Sequence, residues 1–244
     1  MKSFYDFTVK ERLMILLYGL AIILLLAYFF YRSLWAVPLL SPLLFIYQKM
    51  AKENLRLKKQ KELTQSFKEM IEIVAGNLRA GYSVENAFLE MGKETLRLKQ
   101  KEAPEVKMVT FIKRGIENNI VLNERLREAG EISGISEIME FAEVFSVAKN
   151  SGGGMIDSIS QFAAMIGDKI ETEKEISVIL SARRGEQKIM NIVPFIILIY
   201  LDITSPGFFS PLYHNLIGIV TMTACLALYL CAYYMAQKML RIEV

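Results

Sequence analysis

The residues of this chain that could do chemistry are few. Residues 144–159 read VFSVAKNSGGGMIDSI, with three consecutive glycines set between helical-looking stretches. A phosphate-cradling loop of the Gly-x-x-x-x-Gly-Lys-Ser/Thr kind follows a strand and needs its Lys and hydroxyl at the start of the next helix. Here Met155 and Ile156 occupy those places and the preceding segment has helical periodicity, so nucleotide chemistry is not expected. Cys225 and Cys231 lie in an apolar run with no second Cys/His pair near them. That spacing suits neither a disulfide framework nor a zinc site, and the expectation is buried thiols packing as small hydrophobes. The single histidine, His214, has no cysteine or carboxylate beside it in sequence with which to form an acid–base pair. Glu69, Glu72, Glu85, Glu90, Glu137, Glu140 and Glu143 fall on the polar faces of amphipathic segments, where solvation or contact with a partner accounts for them. No catalytic residue, cofactor or metal ligand is therefore assigned.

The glycines read better as a corner. A glycine beyond a helix end takes positive φ at little cost, and Asn150 and Ser151 are natural stop-and-cap residues. Residues 78–88, LRAGYSVENAF, have the same character: Gly81 stops one helix and Ser83 caps the next. Loops displayed on rigid helices commonly carry contacts. The candidate partner-binding positions are therefore Gly81, Tyr82 and Ser83 in one corner, and Asn150, Ser151, Gly152, Gly153 and Gly154 in the other.

These corners belong to a charged middle segment between apolar ends. Hydrophobic residues make up 53% of the 244, and mean hydropathy is +0.30. Arg32 is the only charged residue between Leu13 and Gln48, and Asp202 is the only Asp, Glu, Lys or Arg between Ile189 and Gln237. Leu13–Tyr31 is long and apolar enough to cross a bilayer core of about 30 Å. Ser33–Tyr47 is shorter and carries Pro38 and Pro42, so it is a kinked second span or a hairpin arm returning through the membrane. Ile189–Ile203 and Leu216–Gln237 form a second pair, separated by a Pro- and Gly-containing turn. The first run exceeds the apolar length of a signal peptide and lacks a small-x-small site after it, so it reads as an anchor.

Positive charge is retained on the cytoplasmic side. Lys2, Lys10, Arg12, Lys49, Lys52, Arg56, Lys58, Lys59, Lys61, Lys188, Lys238 and Arg241 flank the spans on one side, against Arg32 on the other. The expected layout is a membrane hairpin over 1–48, a cytoplasmic helical domain over 49–188, and a second hairpin with a short tail over 189–244. Both chain ends then lie inside the cell. The basic run serves topology and a solvated helix face, with anionic headgroups within reach. Nothing in the middle segment interleaves basic and aromatic residues as nucleic-acid surfaces do.

Within that segment, periodic apolar positions predict a helix through Phe67, Met70, Ile71, Val74 and Leu78. A second runs through Val84, Ala87, Phe88, Met91 and Leu98, and a third from Pro104 through Ile116. A fourth covers about Asn123–Ala129 and stops at Gly130, and a fifth carries Ile135, Ile138, Met139, Ala142, Phe145 and Ala148. From Met155 one helix could continue to the third span, with Gly167 and Gly185 as places where it could bend. No alternating β-branched run occurs, so the fold class expected is all-α, an antiparallel helical bundle flanked by two-plus-two transmembrane helices.

LRAGYSVENAF (78–88), FSVAKNSGGGM (145–155), EISVILSARRGEQKIMNIVPF (175–195), SPLYHNLIGI (210–219) and KMLRIEV (238–244) together resemble the F-domain platform proteins of type II secretion and type IV pilus machines. The single helical block resembles their Tad-type, single-domain members. The resemblance implies a non-enzymatic platform in the inner membrane. Its implied partners are a cytoplasmic secretion ATPase, pilin subunits, and a paralogous platform subunit or a second copy of the chain. The alternative from another class is a small transporter or channel. Such a protein would mark its path with ionisable groups inside the membrane, and Asp202, expected as a boundary carboxylate in water, is the sole acidic candidate.

Overall fold

A computed structural model describes residues 4, 5, 8–33, 36–150, 154–205, 207 and 215–240. Among them the chain is all-α, with eight helices and no strand. They are α1 (Val9–Tyr31), α2 (Ala36–Arg79), α3 (Val84–Leu98), α4 (Pro104–Glu117), α5 (Leu122–Ser133), α6 (Ser136–Asn150), α7 (Met155–Thr204) and α8 (Leu216–Leu240). They form two compact units. Unit 1 comprises Met1–Thr8 and Glu53–Thr172; unit 2 comprises Val9–Lys52 and Glu173–Val244. Helices α2 and α7 contribute residues to both.

Unit 1 is built on a single apolar core. Leu63, Phe67, Met70, Ile71 and Val74 of α2 meet Phe88 and Met91 of α3, Met108, Val109 and Ile112 of α4, Leu126 of α5, Ile138, Phe141 and Phe145 of α6, and Ile159, Phe162 and Ile166 of α7. The expected helix faces are largely these. Two positions differ: Leu98 and Met139 are exposed. The central side chain is instead Phe141, fully buried, with ring centroids 5.5 Å from Phe67, 5.5 Å from Phe162 and 6.0 Å from Phe145. Aromatic rings in such offset and edge-on arrangements attract one another beyond the area they bury.

The turns follow local backbone chemistry. At the end of α2 the Tyr82 N–H donates to Asn77 O (3.1 Å) and the Gly81 N–H to Leu78 O (3.0 Å), with Gly81 at φ +90°. This paired closure satisfies carbonyls that the helix end would otherwise leave open. Helix α4 closes identically, Ile120 donating to Gly115 O and Asn119 to Ile116 O, with Asn119 in the left-handed region at φ +57°. Asparagine is among the few side-chain-bearing residues that visit that region readily. Pro104 begins α4, as its fixed φ and missing N–H allow.

The fourth helix does not stop at Gly130. It runs to Ser133 and ends at Gly134, φ +66°, whose N–H reaches Gly130 O at 2.8 Å. Gly130 serves close approach instead: a Cβ there would lie 2.5 Å from Met139 Cγ and 3.0 Å from Met139 N. Helices α5 and α6 pack across it.

Unit 2 holds the most apolar helices. Three helices among the described residues are long and apolar enough to cross a membrane: α1, α7 through its C-terminal part, and α8 over Ile217–Met239. The first part of α2 is not one of them. It nevertheless folds back along α1, because a Cβ on Gly19 would come 3.0 Å from Tyr47 and 3.1 Å from Leu44 side-chain carbons. Arg32, at φ +46°, makes the turn between the two. Pro42 lies inside α2 and Pro194 inside α7 without ending either helix. Beside Pro194, the Tyr229 hydroxyl donates to Asn191 O at 3.1 Å.

One expectation about unit 2 is corrected. Cys225 and Cys231 are free and exposed on α8, not buried: the residues of α8 that pack inward are Met222 and Leu226, and the thiols lie off that face. Asp202 is partly exposed and has a partner. It forms an ion pair with Arg32, 3.1 Å from Nη2, so the only two charges of the long apolar stretches meet.

A candidate partner surface at one end of unit 1

Gly81, Tyr82 and Ser83 form the α2–α3 corner, and Gly154 completes the α6–α7 corner. Asn150 ends α6; Ser151, Gly152 and Gly153 lie outside the described residues. Gly81 and Gly154 have φ of +90° and +77°, with open space where a Cβ would stand. Their glycines answer to backbone conformation rather than to crowding, since an L side chain is strained there whatever room it has. The Ser83 hydroxyl accepts from the Asn86 N–H at 3.4 Å as the cap of α3, and Gly154 O accepts the Ser158 N–H at 2.8 Å at the start of α7.

Side chains bring the two corners together. Lys149, one residue before the end of α6, places Nζ 3.6 Å from Glu85 Oε1 in the first turn of α3. Arg79, the last residue of α2, donates through Nη2 to Ser160 Oγ in α7 at 2.6 Å. Ser160 passes its own proton to Ile156 O at 2.7 Å. Asn77 spans the first corner from within, its amide donating to Ala87 O at 3.3 Å. The sequence marked both corners but not their adjacency: Arg79 and Lys149 lie within the quoted stretches without being singled out there, and Ser160 lies outside them. What the arrangement offers is a surface: two glycine-bearing turns, the half-exposed Tyr82 ring, and paired charges of both signs.

The carboxylates do not gather into a reactive group. Glu69, Glu72, Glu85, Glu140 and Glu143 are exposed and Glu90 is half-buried. Glu137 departs from the polar-face expectation, being buried between α6 and α7. Its Oε1 accepts from Lys169 Nζ at 2.5 Å and its Oε2 from Ser136 Oγ at 3.1 Å. Burial pushes this carboxyl up, but the Lys169 hydrogen bond and charge, a backbone N–H and Ser136 outweigh it and hold its pKa below the ordinary value of 4.5. Glu105 is also buried, accepting from Ser66 Oγ at 3.1 Å, while Lys99 Nζ donates to the same hydroxyl at 3.2 Å. Among the described residues no group of three or more His, Cys, Asp and Glu side chains is placed to hold a metal ion. His214 lies outside the described residues.

Comparison with family models, curated proteins and solved structures finds no match to this chain.

Proposed function

We propose that this protein is a non-enzymatic platform subunit of a Tad-type pilus, type IV pilus or type II secretion machine in the inner membrane. In this reading unit 1 is a cytoplasmic helical bundle that receives a secretion ATPase. Two membrane hairpins, α1 with the start of α2 and the end of α7 with α8, guide pilin subunits into or out of the bilayer. Both chain ends face the cytoplasm, and a paralogous subunit or a second copy completes the platform.

The observation that carries the proposal is the joining, at one end of unit 1, of the helix ends that flank the two resemblance-bearing corners, through Glu85–Lys149 and Arg79–Ser160. A docking surface needs groups that converge without being consumed by the core. The apolar helices on either side of unit 1 in sequence support a membrane setting.

The test is co-purification in detergent with a hexameric secretion ATPase, using wild type and Tyr82→Ala. Loss of the ATPase by the variant, with its unfolding midpoint unchanged, supports contact at the corner. Wild-type protein that captures no ATPase, yet conducts solute alone in liposomes, is a transporter and overturns the proposal.

A further inference from the structure

Phe4 and Tyr5, which precede α1, are covered rather than solvated. Phe4 is 6% exposed and Tyr5 4% exposed, and both belong to the core of unit 1 although α1 and the start of α2 separate them from the rest of it in sequence. The Phe4 ring stands edge-on to Phe111 of α4 at 6.0 Å between centroids. The Tyr5 ring lies 6.0 Å beneath the Arg56 guanidinium of α2, and Thr8 Oγ1 donates to Glu102 Oε2 at 3.4 Å just before α4 begins. Burial pushes the Tyr5 phenol well above its ordinary range, and although the Arg56 charge and Gln60 act against this and Glu105 with it, burial dominates.

We infer that Phe4, Tyr5 and Thr8 form an aromatic clip that completes unit 1, so that the chain leaves unit 1 at Val9 and re-enters it at Glu53 on one face of a membrane. This rests on the membrane reading of α1. If α1 crosses, the chain must cross back before Glu53, and Ala36–Lys52 is the only stretch left to do so. Seventeen helical residues span about 25 Å, slightly less than the hydrocarbon core. Lys49 and Lys52 at the end of that stretch can extend their ammonium groups to the headgroups, and the bilayer thins locally. The contact of Gly19 with Leu44 and Tyr47 is what a two-way crossing requires. The start of α2 is thus a full return span despite its modest hydropathy.

The test uses the full chain in native membranes, with Cys225→Ser and Cys231→Ser as background. Thr8→Cys with Glu102→Cys is treated with a short bifunctional thiol reagent, and Glu85→Cys with Lys149→Cys reports that unit 1 is folded. Ser33→Cys is probed separately with a membrane-impermeant maleimide on intact cells. Expected are cross-links for both pairs, a several-fold loss of the 8–102 product when Phe4→Ala and Tyr5→Ala are added, and labelling of position 33 from outside. An 85–149 cross-link without an 8–102 cross-link overturns the clip and leaves the membrane reading untouched. An 8–102 cross-link with position 33 reactive only after permeabilisation overturns the return span, because α1 then does not cross.

Discussion

Lys169 and Glu137 meet at 2.5 Å between α7 and α6, the carboxylate nearly covered and the ammonium half exposed. Removing the ammonium leaves a covered carboxylate with only hydrogen bonds to hold it. Lys169→Met is expected to destabilise unit 1 by about 2 kcal/mol, toward the low end for a broken buried pair because the lysine is partly in water. Glu137→Gln, which keeps the shape and leaves an exposed lysine, is expected to cost about half that. Urea unfolding at neutral pH checks the order; equal effects would remove the asymmetry on which it rests.

The same pair sets a pH dependence. Because the folded Glu137 pKa lies below its unfolded value of 4.5, the folded state releases this proton more readily, and the pair stabilises fully above that value. Its contribution fades as pH falls below about 4.5 and through the folded pKa. Wild type is expected to lose stability across that acidic window more steeply than Glu137→Gln, while the two curves run parallel above it. Denaturation midpoints between pH 3 and pH 7 test this.

Two glycines of unit 1 should respond to alanine with opposite signs. At Gly130 a methyl would strike Met139 backbone and side chain at 2.5–3.1 Å, so Gly130→Ala is expected to cost about 1–3 kcal/mol. Gly76 lies in the interior of α2 with nothing within 4 Å of its would-be Cβ, so Gly76→Ala should gain about 0.5–1 kcal/mol from helix propensity and a less flexible unfolded chain. Thermal unfolding that ranks the two variants the other way contradicts the packing described.

Gly81 tests backbone strain by itself. With φ at +90° and no neighbour to strike, Gly81→Ala should lose about 1–2 kcal/mol purely from the left-handed conformation. Its stability is to be compared with Tyr82→Ala, which removes an exposed ring and should shift the midpoint little.

Arg32 and Asp202 form an ion pair in unit 2, and beside it the Tyr31 hydroxyl lies 2.9 Å from Thr223 Oγ1. Since Thr223 gives its proton to Ile219 O at 2.7 Å, Tyr31 is the donor. Both charged groups are partly exposed, so their coupling should be modest, on the order of 1 kcal/mol. A double-mutant cycle with Arg32→Asp and Asp202→Arg should recover part of each single loss in the swapped protein. Strictly additive losses would mean that the pair contributes nothing.

Much of this architecture is set by local sequence. Apolar spacing alone marks α3, α4, α6 and the core face of α2, and Pro104, Ser83 and Gly81 fix ends because φ restriction, a hydroxyl acceptor and positive φ act within a turn of themselves. Long apolar runs declare α1, α8 and the end of α7 by length alone. The tertiary structure decided what depends on neighbours distant in the chain. Gly130 reads as a stop and is a contact, because only Met139 reveals that a methyl has no room. Glu137 reads as a solvated face and is covered, because Lys169, thirty-two residues on, supplies its counter-charge. Phe4 and Tyr5 fall within the stretch 1–48 assigned to a membrane hairpin and lie in the core of unit 1, and the partner of Asp202, Arg32, comes from 170 residues away. Backbone propensity is local and legible in order; pairing and burial are set by which surfaces the folded chain brings together.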